Sequence, residues 1–125
     1  MAIKTTVAIP QSFTDQEAFN AALEYFKGDD LAARVWLNKY ALKDSQGNIF
    51  EKTPNDMHMR IAKEIARIEE RYPNSLSENE VFDLIKDFKY IVPQGSPMAG
   101  IGNPYQIASL SNCFVIGNDG RSDSY

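Results

Sequence analysis

Apolar positions recur at helical spacing through the first two thirds of this chain, between stops that are equally regular. Thr14-x-x-Glu17 has the form of a capping box, in which the side chains at the first and fourth positions satisfy each other's free amides. Phe19, Leu23 and Phe26 follow on one helical face, and Gly28 supplies a left-handed stop. Asp29 or Asp30 can cap a second helix over 31–41, with Leu31, Val35, Trp36 and Leu37 as its apolar residues. Lys43 to Asn48 reads as a turn, because Asp, Asn and Gly favour turn geometry. Thr53-Pro54 opens a third helix with proline in its first turn. Met57, Ile61, Ile65 and Ile68 form its stripe, and Pro73 closes it. Ser77-x-x-Glu80 repeats the capping box ahead of a fourth helix that carries Val81, Leu84, Ile85 and Phe88 on one face.

The pattern then changes. Residues 93–125 hold five of the seven glycines and three of the six prolines. A Gly/Pro loop over 93–104 leads to a short apolar run, Cys113-Phe114-Val115-Ile116, which predicts a strand ending in the turn Gly117 to Gly120. The chain therefore divides into a helical part, 1–92, and a Gly/Pro segment with a strand, 93–125.

Composition narrows the function. The chain has 125 residues, one domain's worth, with 43% hydrophobic and 24% charged residues, as in folded globular proteins. A net charge of -4 argues against binding a nucleic-acid backbone, which needs clustered Lys and Arg. No apolar run approaches the roughly 20 residues that cross a bilayer, and the N-terminus lacks a secretory apolar core, so no membrane role is expected. One cysteine excludes an intrachain disulfide, and one histidine leaves a Ser-His-Asp triad a single imidazole to build on. Most self-contained active sites cannot be assembled from these residues.

The remaining candidates are few. His58 lies in the third helix between two methionines, where it reads as a surface or half-buried residue; a metal ligand would want a partner four residues on, and that position is Ala62. The interleaved charges from Glu64 to Asp87 read as a solvated, salt-bridged face rather than an acid/base pair. Phe19, Phe26, Trp36, Phe82 and Phe88 read as core. The 93–104 loop matches neither a Walker A nor a GxGxxG pattern and reads first as a connector, although its glycines would let backbone approach a ligand and Ser96 could offer a hydroxyl to a phosphate. Cys113 reads as a small apolar residue in a buried strand.

Three runs taken in order carry more information: Ile91 to Met98, Gln106 to Ile116, and Asp123-Ser124-Tyr125. Together they resemble the N-terminal part of the ribonucleotide reductase catalytic subunit, with its Ser-Pro loop, Leu-Ser-x-Cys-Phe-Val strand and Asp-Ser pair. The run Ala33 to Asp44, with Thr53-Pro54 ahead of the next helix, is most similar to the adenosylcobalamin-dependent (class II) branch. The resemblance implies a mainly α N-terminal helical domain leading into the first strand of the reductase's ten-stranded α/β barrel. It implies that Cys113 is the first of two cysteines oxidised to a disulfide as the ribose is reduced. It implies that Ser96 hydrogen-bonds the substrate diphosphate, that Ser111 and Asn112 lie against the ribose, and that Asp123 and Ser124 begin the site for a deoxynucleoside triphosphate effector. The interval from Cys113 to Asp123 is longer than in many members, a departure from the family pattern.

The same resemblance places adenosylcobalamin, the second redox cysteine and the radical-bearing cysteine on polypeptide outside this chain. The expected partners are that remaining polypeptide, a ribonucleotide, a dNTP effector, a thioredoxin-type reductant and a second copy in the complete enzyme, all in the cytoplasm. Two other readings stay open: a stand-alone helical interaction module derived from the reductase, and a segment of a class I reductase with a separate radical-generating subunit.

Overall fold

The computed structural model describes residues 11–113. Five helices follow one another: α1 (Asp15–Tyr25), α2 (Asp30–Lys39), α3 (Pro54–Glu69), α4 (Glu78–Ile85) and the short α5 (Gly95–Gly100), with a 3-10 turn over Lys86–Phe88 after α4. Among the described residues there is no strand beyond two isolated bridges that join Ile49 to Phe13 and to Lys43. No described helix is long and apolar enough to cross a membrane.

Local chemistry sets the helix starts. The Thr14 and Ser77 capping boxes form as their spacing predicts, with each side-chain oxygen accepting from the amide three residues on and the Glu carboxylate returning the bond. Asp29 caps α2, and Thr53 with Asp56 makes a third capping box around Pro54. At the end of α1 the chain turns through two left-handed residues, Lys27 (φ 55°) and Gly28 (φ 89°), and the Gly28 amide donates to Leu23 O. The 43–48 turn is drawn together by Asp44, whose carboxylate accepts from the amides of Gln46 and Asn48 and from the Asn48 side chain.

The helices pack as two pairs, α1 on α2 and α3 on α4, and their inner faces meet in one core. Ala18 and Ala22 of α1 and Ala33 of α2 are fully buried, so small side chains let these two helices approach closely. Trp36, Leu37, Met57, Ile61, Val81 and Ile85 fill the space between the pairs, with Ile49 from the loop. Phe19, Phe26, Phe82 and Phe88 pack around this core half-buried. The α3 stripe is buried at Met57 and Ile61 and reaches solvent at Ile68.

Five expectations change. Leu31 and Val35 are exposed, because α2 turns its Ala33, Trp36 and Leu37 side inward. His58 is fully buried rather than a surface or half-buried residue, since the Lys86–Phe88 turn folds over it and the Phe88 ring meets the imidazole edge-on at 4.6 Å. That turn also ends α4 at Ile85, so Phe88 reaches the core from a left-handed backbone (φ 56°) and not from a helical face. The 93–104 segment is more than a connecting loop, because Gly95–Gly100 coil into α5 and pack against α3. Of the expected strand Cys113–Ile116, Cys113 is exposed and extends no strand; residues 114–116 and the turn at 117–120 lie outside the described residues.

Candidate functional site

The candidate site is built on α5 and the extended chain that returns beside it. Ser96 stands in the first turn of α5. Pro97 follows at a position where a helix does not need the N–H that proline lacks. The Ser96 amide and hydroxyl both donate to the Asn112 side-chain oxygen, at 3.2 and 2.7 Å. The Asn112 side-chain amide donates in turn to the Gln94 side-chain oxygen at 2.6 Å. Gly95 lies under the Tyr40 ring, 3.4 Å from where a Cβ would stand, so α5 is seated against the end of α2.

Ser96 and Asn112, sixteen residues apart, are thus in direct contact, and Cys113 follows Asn112 with its side chain exposed. Ser111 is exposed and its amide donates to the Ser109 hydroxyl. Asp123 and Ser124 lie outside the described residues. Two donors of Ser96 converge on one point, an arrangement that suits an oxygen carrying negative charge.

Sequence reasoning missed the groups that fasten α5. Arg60 of α3 and Glu51 form a buried ion pair at 2.6 Å, with their side chains 8% and 5% exposed. Glu51 also accepts the Leu42 amide at 2.9 Å. The guanidinium then crosses to α5, donating to Met98 O at 2.9 Å and to Ile101 O. The sequence held one signal for this, a single Arg set between Met59 and Ile61 beside the α3 stripe. Gly102 follows at φ 70°, where a Cβ would lie 3.0 to 3.1 Å from Arg60 Cγ and its carbonyl oxygen. A Cβ on Gly100 would meet the Leu110 side chain at 2.9 Å. These glycines do permit a close approach, to α3 and to the returning chain.

A second polar cluster ties the Lys86–Phe88 turn to α1 and α3. The Asp87 carboxylate accepts from Tyr25 Oη at 3.1 Å and from the Asn55 side-chain amide at 3.2 Å. Burial and the hydrogen bond to Asp87 push the Tyr25 hydroxyl up to about 12. His58 Nδ1 lies 3.3 Å from Asn55 Oδ1, and its Nε2 has no hydrogen-bond partner among the described residues. Burial lowers the His58 pKa, with the Asp87 charge opposing. The remaining carboxylates behave as a solvated face: Glu64 pairs with Arg67 and Asp83 with Lys86, each at 2.6 Å. Among the described residues no group of three or more His, Cys, Asp or Glu side chains is placed to hold a metal ion. An open groove over α3, lined in part by Phe13, Phe50, Lys63 and Tyr105, includes none of Ser96, Ser111, Asn112 or Cys113.

Comparison with known proteins gives one match. The family model described as "Ribonucleotide reductase, all-alpha domain" matches residues 26–104, well over half of the chain. The matched range contains Ser96 and all of α2 to α5, and stops before Ser111, Asn112 and Cys113. No curated protein and no solved structure matches the chain.

Proposed function

The chain belongs to the family of the ribonucleotide reductase all-alpha domain, and from that premise we propose that it is the N-terminal segment of a reductase catalytic subunit that makes deoxyribonucleotides. Ser96 holds the substrate diphosphate, and Cys113 faces the ribose. In the reaction the 2′ hydroxyl leaves as water and C2′ gains hydrogen. The two electrons come from two thiols that close to a disulfide, Cys113 being one and the other lying on the remaining polypeptide. A thioredoxin-type reductant then reopens the disulfide by thiol–disulfide exchange.

The observation that carries this reading is the contact of Ser96 with Asn112, beside Cys113. Ser96 presents an N–H and an O–H to one oxygen, and a phosphate oxygen can accept the same two bonds in place of the Asn112 amide. Ser111 and Asn112, next to Cys113 in the chain, would then border the ribose. Asp123 and Ser124 would contribute to a dNTP effector site at the interface of a dimer in the cytoplasm.

Adenosylcobalamin, the radical source of the class II branch, would be held by polypeptide outside this chain. The one imidazole here, His58, is fully buried against Phe88 and is not available to a corrin. The test is reconstitution. The chain together with the remaining reductase polypeptide should reduce ribonucleotides when adenosylcobalamin is added, and Cys113→Ser should abolish turnover. Turnover that survives Cys113→Ser removes the role of Cys113. Turnover that needs a separate radical-generating subunit instead of cobalamin assigns the chain to class I.

A second reading, a helical interaction module, is favoured by one feature: among the described residues the fully buried core lies within 18–85, and the Ser96 segment adds only the half-buried Met98 and Ile101 at its edge. A stable monomer with no affinity for the remaining reductase polypeptide would favour it.

A further inference from the structure

A six-residue helix cannot fix its own position. Nucleation is unfavourable and each terminus leaves backbone groups unpaired, so α5 must be placed by contacts outside itself. Its terminal carbonyls can be accounted for one by one. Pro97 O accepts from the Ile101 amide and Gly100 O from the Asn103 amide. Ala99 O accepts from the Asn103 side chain. The two that remain, Met98 O and Ile101 O, are both taken by Arg60. The guanidinium sits at the negative end of α5, where a cation is favoured, and Glu51 holds it from behind at 2.6 Å.

We infer that Arg60 is a positioning residue for Ser96: through Met98 O and Ile101 O it sets where α5 presents the Ser96 donors, and so sets affinity for the substrate's phosphates. This rests on the reading of Ser96 as the diphosphate contact. At a rise of about 1.5 Å per residue, Ser96 lies only about 3 Å along the helix from Met98. A shift at the fastened end is therefore carried to the hydroxyl almost undiminished. The planar fork of an arginine reaches both carbonyls and Glu51 at once, which a lysine ammonium cannot do. No phosphate contact by Arg60 itself is implied, since its donors face Glu51 and the two carbonyls.

The experiment is steady-state kinetics on the complete reductase. Arg60→Met alone leaves Glu51 buried without its partner and is a poor test, so it is combined with Glu51→Gln, which removes both charges and keeps an acceptor for the Leu42 amide. The pair should raise KM for the ribonucleotide about tenfold and leave kcat within about twofold, the sign of lost uniform binding. Arg60→Lys should give a smaller rise in the same direction, and carries the comparison if the double variant does not fold. Ser96→Ala should raise KM by a similar factor, and adding it to the Arg60 variants should raise KM little further, because both act through one contact. An unchanged KM in the Arg60 variants beside a raised KM in Ser96→Ala overturns the inference alone, as do effects that multiply. An unchanged KM in Ser96→Ala instead overturns the reading of Ser96, and the positioning role with it.

Discussion

The region from α1 to α4 and the segment after Pro93 are held by different forces. In the first, eleven buried apolar residues from four helices and one loop exclude water together, and each helix begins at a side-chain cap. In the second no described residue is fully buried: Met98 and Ile101 pack only half-buried against that core, and α5 is oriented by hydrogen bonds from Arg60 and Asn103 and between Ser96 and Asn112. Apolar burial is non-directional and scales with area, so it tolerates small shifts. Hydrogen bonds are directional, and fix a short segment in orientation as well as position. A contact that must present a hydroxyl to a substrate is better served by the second kind of support, provided its anchor stands on the first. Arg60 meets that condition, as it lies on α3 directly before Ile61, which is 1% exposed.

The largest expected effect breaks both regions at once. Arg60→Met by itself leaves the Glu51 carboxylate buried without a counter-charge, and should cost about 3–5 kcal/mol in urea denaturation. The Glu51→Gln/Arg60→Met pair should recover most of that loss, which separates the charge penalty from the loss of the anchor.

Ile61→Ala opens a cavity in the shared core and should cost about 2–5 kcal/mol. Ile107→Ala, at a fully exposed position after α5, should change stability by no more than about 0.5 kcal/mol. Comparable losses at the two positions would mean that the segment after α5 is held by apolar burial as the core is.

Acid should weaken the first region through His58. Burial lowers its pKa in the folded chain, so the unfolded chain, with an ordinary value near 6.5, takes the proton first. Its contribution to stability is present above about pH 6.5 and is lost as the pH falls toward the folded value. The slope should be positive and stay below the one-proton limit of about 1.4 kcal/mol per pH unit. His58→Leu should flatten this part of the stability-pH curve, measured by denaturant midpoints between pH 7 and pH 5. A more modest effect concerns a cap: Thr53→Ala removes the acceptor for the Asp56 amide at the start of α3 and should cost about 1 kcal/mol.

The features that could be read in advance are local ones. Thr14-x-x-Glu17 and Ser77-x-x-Glu80 act over three residues, and the bond they make is decided by the helix they begin. The 43–48 turn is likewise drawn together by one side chain, Asp44. Of the candidate site, the sequence supplied Ser96, Asn112 and Cys113 as a resemblance, but not the Ser96–Asn112 contact. Arg60 and Glu51 escaped notice because nothing in a nine-residue separation signals a pair; only the path of the chain between them sets their distance. His58 could not be assigned to the interior because its cover, Phe88, is thirty residues away on a left-handed turn.

The sequence by itself determined where the first four helices start, that Met57 and Ile61 of α3 and Val81 and Ile85 of α4 turn inward, and that one cysteine cannot close an intrachain disulfide. Those properties follow from spacing and counts, which the chain carries before it folds. The tertiary structure decided that α2 turns Leu31 and Val35 outward, that residues 95–100 coil into a helix, and that Arg60 fastens that helix beside Asn112. Each of these depends on groups distant in sequence competing for the same buried space or the same unpaired carbonyls, and folding alone settles that competition.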